Sequence, residues 1–161
     1  MILHYFKKKE NKELIIASKQ YKNILIESKA FLNENNFFKV NDYNTSFEIV
    51  SIFLIMFIRK NLSKDNRKSY LKVNDKLISL FISDLDESLR QKGIGDMSIG
   101  KYVKSYVKKF YYRISKFPED NNLYNNVSFI EYLKITNLIK NDDYSEVSRK
   151  FNDKFSDFIN Y

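Results

Sequence analysis

Apolar residues recur with a helical period along most of this chain, most clearly on either side of position 93. A spacing of three or four residues places such residues on one face of a helix. Two amphipathic helices are predicted here, over about 68–91 and about 98–117. Their apolar positions are Leu77, Phe81, Leu85 and Leu89, then Ile99, Val103, Tyr106, Phe110, Ile114 and Phe117.

All three glycines of the chain, Gly93, Gly95 and Gly100, fall between or at the edge of these two helices. Glycine is favoured where the backbone needs a positive φ or a close approach. We therefore expect a tight corner, in which Gly93 is the left-handed residue that ends the first helix. Asp96 or Ser98 is expected to cap the second helix.

The segment before this hairpin predicts two more helices. Leu14, Ser18, Tyr21, Leu25, Ser28 and Leu32 mark the first with a mixed apolar stripe. A loop at 33–46 follows, with Phe37, Phe38 and Val40 as its anchors. Ser46 is expected to cap a helix at 47–61 that is apolar on nearly every face, as a buried helix requires. Its apolar run at 49–58 is half the length of a bilayer span, which takes about 20 residues.

The end of the chain predicts two shorter helices. Pro118 stops the preceding helix. Ser128 with Glu131 has capping-box spacing at the head of a helix to Ile139, and Asp143 with Glu146 repeats that spacing. The last helix has Val147, Phe151, Phe155 and Phe158 as its apolar stripe. With so few glycines and one proline, the chain is predicted to be one all-α domain, residues 1–161, of six or seven helices.

The composition argues against catalysis. There is no cysteine, and the single histidine, His4, lies at the start of the chain, where we expect a solvated end residue. Asp84, Asp86, Glu87 and Asp96 crowd the corner, but no nucleophile–base pair or histidine accompanies them. Asp96 is expected to be a helix cap and the others to face lysine or arginine across the hairpin. Asp86 and Arg90 are spaced i,i+4. We expect no enzyme activity, cofactor or metal.

Residues 95–101 match most of the phosphate-loop pattern G-x-x-x-x-G-K-[ST]. That chemistry needs a buried strand before the loop and a hydroxyl after the lysine. Here an amphipathic helix comes first, and Tyr102 follows Lys101. A tight corner with a helix cap is the interpretation that this context favours.

The predicted helix at 98–117 is strongly basic. The whole chain has a net charge of +8 and a pI near 9.4, which suggests an acidic partner. This helix carries six cations and no acid: Lys101, Lys104, Lys108, Lys109, Arg113 and Lys116. A solvated face is one interpretation. The other is a contact surface for RNA, anionic lipid or an acidic protein, because cations left unpaired within their own helix repel one another.

The central region resembles the ubiquinol–cytochrome c chaperone family, whose members assist assembly of the respiratory cytochrome bc complex. The similarity extends over about 77–117, and Tyr112 stands where the family has a glycine. The matching elements are the acidic helix end Asp84, Asp86 and Arg90, the corner Gly93-Ile94-Gly95-Asp96, the basic residues Lys101 and Lys104, and Phe110-Tyr111-Tyr112-Arg113.

The resemblance implies a non-enzymatic chaperone that holds newly made cytochrome b, which would be its partner. The glycines and Asp96 would then shape the corner. Lys101, Lys104, Lys108 and Arg113 would contact lipid headgroups, ribosomal RNA or acidic loops, and Phe110 and Tyr111 would add apolar contact. The alternative is a basic helical module that binds RNA or the ribosome. We expect a cytoplasmic protein, with peripheral attachment to the inner face of the inner membrane left open.

Overall fold

The computed structural model describes residues 12–34 and 36–159, and six α-helices account for most of them. The helices are α1 (Lys12–Glu34), α2 (Tyr43–Leu62), α3 (Arg67–Gln91), α4 (Asp96–Lys116), α5 (Val127–Thr136) and α6 (Tyr144–Ile159). The expected all-α architecture is confirmed. Within the described ranges the only strand-like pairing is an isolated bridge between Phe38 and Ile139. His4 lies outside the described residues.

Helix α2 is the centre of the fold, as its apolar run predicts. Every residue from 51 to 57 is buried, and α2 packs against α1, α3, α4 and α6. It begins earlier than expected, because Asp42 rather than Ser46 is the cap. The Asp42 carboxylate accepts a hydrogen bond from the Thr45 backbone N–H at 2.8 Å. None of the described helices is both long enough and apolar enough to cross a membrane.

The buried face of α1 differs from the predicted stripe. Tyr21 and Ser28 are buried as expected, whereas Leu14 and Leu25 are exposed. The buried set is Ala17, Tyr21, Ile24, Ser28 and Phe31. Polar side chains fix α1 in place. Gln20 and Asn61 exchange two hydrogen bonds of 2.9 Å, and Asn61 donates a third to Asn74 of α3 at 2.7 Å.

Helices α5 and α6 close the other side of the core. Asn126, not Ser128, caps α5, since its side chain accepts from the Phe129 N–H. The helix ends at Thr136 rather than Ile139, because Asn137 has a left-handed backbone with φ of 53°. Helix α6 begins directly after Asp143, as predicted. Its four stripe residues are all buried: Val147, Phe151, Phe155 and Phe158.

The loop between α1 and α2 is attached to the segment between α5 and α6. Lys39 N–H donates to the Leu138 carbonyl at 2.8 Å, and Lys140 N–H donates to the Phe37 carbonyl at 2.9 Å. Phe37 and Phe38 pack against the core as predicted. Val40 is 58% exposed, so the prediction that it anchors this loop to the core is wrong.

Candidate contact surface on helix α4

The corner between α3 and α4 has the geometry of a Schellman motif. Ile94 N–H donates to the Leu89 carbonyl, and Gly93 N–H donates to the Arg90 carbonyl. Gly93 has φ of 89° and is the left-handed residue, as predicted. This motif ends helix α3 at Gln91, and the chain then reverses direction so that α4 packs against α3.

The other two glycines have ordinary backbones. Gly95 precedes α4 in an extended conformation, with φ of −71°, and Gly100 lies inside α4. Added Cβ atoms at all three glycines would meet nothing within 4 Å. Of the three, only Gly93 is required by its backbone conformation.

Alanine substitutions at Gly93 and Gly100 are expected to act in opposite directions. Gly93→Ala should lower the free energy of unfolding by about 1–2 kcal/mol, because an L-residue is strained at this φ. Gly100→Ala should raise it by about 0.5–1 kcal/mol, because alanine is the better residue inside a helix. Urea unfolding of both variants measures the difference, and two shifts of the same sign would contradict this account.

The acidic residues of the corner separate into different environments. Asp96 was expected to cap α4, but this is wrong, since no side chain caps that helix. Asp96 instead accepts a hydrogen bond from the Arg90 guanidinium, which also binds Asp86 at 2.6 Å. The hydrogen bonds to these two carboxylates raise the pKa of Arg90, and the bond to Asp86 has the larger effect. The group is exposed, so it adds little to stability and weakens with salt.

Asp84 and Glu87 were expected to face lysine or arginine across the hairpin, but neither forms an ion pair with a described residue. Asp84 accepts a 2.8 Å hydrogen bond from the Tyr21 hydroxyl of α1. Burial raises the pKa of the Tyr21 hydroxyl above its ordinary value, and the hydrogen bond to Asp84 raises it further. Glu87 accepts from Gln91 one turn along its own helix. The four carboxylates therefore form no common site, and no metal-binding cluster occurs among the described residues.

Of the six residues in the predicted apolar stripe of α4, three are buried and three are partly buried. Ile99, Phe110 and Phe117 lie in the core, and the Phe110 ring centroid is 4.9 Å from that of Phe81. Phe110 is fully buried. The expectation that it provides apolar contact to a partner is therefore corrected, and its position in the Phe-Tyr-Tyr-Arg motif serves packing.

An ion pair that the sequence pattern did not predict joins α4 to α2. The Glu48 carboxylate is fully buried and accepts two hydrogen bonds from Arg113, at 2.8 and 2.6 Å. Lys109 Nζ lies 2.8 Å from the same carboxylate and also donates to Asn44. One feature of the sequence could have indicated this pair: Glu48 is a single acid at the start of a run that is otherwise apolar on nearly every face. A carboxylate buried in such a helix requires a cation beside it.

This ion pair changes the expectation for the basic helix. Burial lowers the pKa of the Arg113 guanidinium, but the hydrogen bonds to Glu48 together with the charge of that carboxylate raise the pKa overall. Arg113 is 6% exposed, so it is a core residue and no part of a contact surface. Lys109 is partly neutralised by the same acid. Two of the six cations of the predicted helix are thus paired inside the protein.

Tyr132 of α5 lies beside this ion pair. Its side chain is fully buried, and its hydroxyl has no hydrogen-bond partner within the described part of the chain. Burial raises the pKa of Tyr132 above its ordinary value, and the nearby Glu48 charge raises it further. The ion pair, this tyrosine and the Arg113 contact with the Ile135 carbonyl at 3.5 Å connect α2, α4 and α5.

The outward face of α4 presents basic and apolar side chains together. Lys101, Lys104 and Lys108 are exposed, and none of them forms an ion pair with a described residue. We call this face the α4 stripe, and it runs for about 22 Å along the helix. Its members are Met97, Lys101, Lys104, Lys108, Tyr111 and Tyr112.

The apolar members of the α4 stripe lie at its two ends. Met97 is fully exposed at the corner, and Tyr111 and Tyr112 are 51% and 47% exposed at the far end. Tyr112, which occupies the glycine position of the motif, points outward and lies under the Lys116 ammonium at 5.7 Å. The helix context therefore accommodates this large residue without repacking the core.

The phosphate-loop interpretation is not supported by the geometry. The segment before Gly95 is helix α3, and residues 96–101 already belong to α4. The tight corner is therefore confirmed, whereas the side-chain cap expected with it is not, since no side chain caps α4.

A family model described as ubiquinol-cytochrome C chaperone matches residues 38–120, just over half of the chain. The chain belongs to this family. The match covers α2, α3 and α4, and so includes the corner, the Glu48 ion pair and the whole α4 stripe. The resemblance expected from the motifs is confirmed, and the protein has the role of a ubiquinol–cytochrome c chaperone.

A solved structure shows the same fold over nearly the whole chain. The crystal structure of the Cbp3 homolog from Brucella abortus aligns with a TM-score of 0.70 and 20% sequence identity, covering 99% of this chain and 88% of that one. Among curated proteins, none matches the sequence. The similarity in fold extends beyond the family match to α1, α5 and α6.

Proposed function

We propose that this protein holds newly made cytochrome b during assembly of the ubiquinol–cytochrome c reductase complex, and that the α4 stripe is its contact surface. The observation that carries the proposal is a row of three exposed lysines between exposed apolar ends, within the part of the chain that matches the chaperone family. None of the three forms an ion pair with a described residue. No bond-making chemistry is required for such a role.

The stripe suits a hydrophobic membrane subunit that also has polar loops. Lys101, Lys104 and Lys108 would pair with acidic groups of those loops, which also relieves the repulsion among the lysines. Met97 and the two tyrosines would cover apolar surface, since methionine adapts to irregular partners and tyrosine contributes area with a polar tip. Because Phe110 and Arg113 anchor the inner face of α4, the stripe is presented on a rigid helix.

Complementation in the host tests the role. Deletion of the gene should remove the b-haem absorbance and the reductase activity, and the wild-type gene should restore both. The variant Lys101→Glu/Lys104→Glu/Lys108→Glu should fail to restore them, because it places three negative charges where acidic loops would bind. It should also fail to capture cytochrome b from native membranes.

The matched control reverses three lysines of α3, Lys68→Glu/Lys72→Glu/Lys76→Glu, with the same change in net charge. This control should complement and capture cytochrome b like wild type. Unaltered b-haem spectra after gene deletion would exclude the proposed role. Equal behaviour of the two triple variants would leave the role standing but exclude the α4 stripe as its surface.

The second candidate function is RNA or ribosome binding through the same stripe. It is favoured by the exposed tyrosines beside the lysines, since aromatic rings stack on bases while cations bind phosphates. Such binding should weaken steeply with salt, with a log–log slope near −2 for three lysines on a single strand. Fluorescence anisotropy with a labelled RNA measures this slope, and absent or salt-insensitive binding counts against the candidate.

A further inference from the structure

The outward face of α1 carries a line of isoleucines and lysines that the packing of the helix does not use. Its members recur at alternating spacings of four and three residues, which places them in one row about 21 Å long. We call this row the α1 line, and it consists of Ile15, Lys19, Lys22, Ile26 and Lys29.

Neither isoleucine of this row is part of the buried core. Ile15 is 53% exposed and Ile26 is 54% exposed, and they lie three turns apart in the same row. The three lysines between and beyond them are exposed as well. Single exposed apolar residues are ordinary on protein surfaces, but two aligned with a row of cations form an amphipathic surface.

The acids of α1 lie away from this row. Glu13, Glu27 and Glu34 are at least about 100° around the helix from its centre. Glu27 faces α6, where it binds Lys154 at 2.8 Å. Within the described residues, no acid forms an ion pair with any of the three lysines of the row. The α1 line is therefore uniformly positive and partly apolar.

We propose that the α1 line docks this protein on an anionic lipid surface. Lysine ammonium groups at the ends of flexible stems bind headgroup phosphates, while isoleucine side chains enter the shallow apolar layer beneath them. The charge complementarity is with a surface that offers many phosphates at one depth. This surface adds a lipid partner to the proposed role in cytochrome b assembly, and uses a different helix.

The composition of the α1 line argues against other occupants. RNA would engage the lysines but leave both isoleucines in water, and the row offers no aromatic ring for stacking. A partner helix packing along this row would need apolar residues at most seam positions, whereas three of the five are lysines. A lipid surface uses both residue types at once.

The α1 line and the α4 stripe are separate surfaces. Helix α3 packs against both α1 and α4. Lipid docking through one surface and client binding through the other can therefore be tested independently, with variants that alter only exposed residues.

Vesicle flotation of the purified full chain tests the proposal. The wild type should float with vesicles that contain about one third phosphatidylglycerol, and not with pure phosphatidylcholine. The variant Lys19→Gln/Lys22→Gln/Lys29→Gln should weaken this binding at least about tenfold. Ile15→Ser/Ile26→Ser should weaken it by about tenfold as well, because the apolar insertion is lost. Far-UV circular dichroism verifies that the variants remain folded.

Two controls match these changes on other faces. Lys101→Gln/Lys104→Gln/Lys108→Gln alters the same number of charges, and Leu71→Ser/Val127→Ser alters two exposed apolar residues. Both should bind anionic vesicles within about twofold of wild type.

Several results would overturn lipid docking through α1. These are no flotation of the wild type with anionic vesicles, unchanged flotation of either α1 variant, and loss of flotation in the α4 control. Loss with the lysine variant alone, combined with displacement of vesicles by RNA, would assign the row to RNA instead.

Discussion

Replacing Glu48 with glutamine is expected to lower the free energy of unfolding by about 3–5 kcal/mol. The substitution keeps the shape of the side chain but leaves the buried Arg113 guanidinium, 6% exposed, without its counter-charge. Native domains are stable by about 5–15 kcal/mol, so this loss is a large share of the total. Urea unfolding followed by circular dichroism measures it.

Two comparisons make this experiment specific to the ion pair. Glu131→Gln, which removes an exposed acid paired with Lys134, should cost less than about 1 kcal/mol. The double variant Glu48→Met/Arg113→Met should recover much of the loss, because a buried pair is often replaceable by apolar side chains. If Glu48→Gln is as stable as wild type, the carboxylate is not the counter-charge of Arg113.

The second large effect is expected at Phe151 of α6. Phe151→Ala should lower the free energy of unfolding by about 3–5 kcal/mol through loss of burial and the cavity left behind. The ring is fully buried, with its centroid 4.3 Å from Phe31 of α1, 6.0 Å from Phe53 of α2 and 5.8 Å from Phe129 of α5. Urea unfolding measures this change too.

Phe151 lies outside the residues that match the family model. A large loss would therefore show that α6 is part of the same cooperative unit as α2, α3 and α4.

Tyr124→Ala, at a residue 44% exposed, is the aromatic control and should cost much less. Should Phe151→Ala fail to fold, Phe151→Leu should still unfold cooperatively, with a loss of about 1–2 kcal/mol. Equal costs at Phe151 and Tyr124 would contradict the packing described.

The Glu48 substitution bears on function through the position of α4. The Glu48 ion pair and the Phe110 contact with Phe81 fix the inner face of α4, so its outward lysines stand in one row. A client that binds this row meets a preorganised surface, which reduces the entropy lost on association. Weak complementation by Glu48→Gln would follow from instability alone, so the lysine variants remain the direct test of contact.

Local patterns along the chain were sufficient for most of the fold. The four-residue spacing before and after position 93 placed α3 and α4 correctly, and Gly93 adopts the left-handed conformation expected of it. The apolar run at 49–58 identified the buried central helix, and the α6 stripe was confirmed residue by residue. These features depend on periodicity and on the backbone preference of glycine, both of which are local.

Helix caps were the local feature most often misassigned. Asp42, Gly95 and Asn126 occupy cap positions where Ser46, Asp96 and Ser128 had been expected. Several polar residues precede each helix, and the chain path through the loop decides which of them reaches the free N–H groups. A pattern of residue types alone does not distinguish cap candidates that lie one to four positions apart.

The sequence by itself determined the helical class, the hairpin at the glycine corner, the central helix and the family to which the chain belongs. Only the tertiary structure decided which charges remain available, because Glu48 and Arg113 are 65 positions apart and meet only when α4 packs on α2. It also decided that Phe110 is buried, that Asp84 binds Tyr21, and that Ile15 and Ile26 face outward. Residue types and their periods act within a helix, whereas burial and ion pairing depend on which face each neighbouring helix covers.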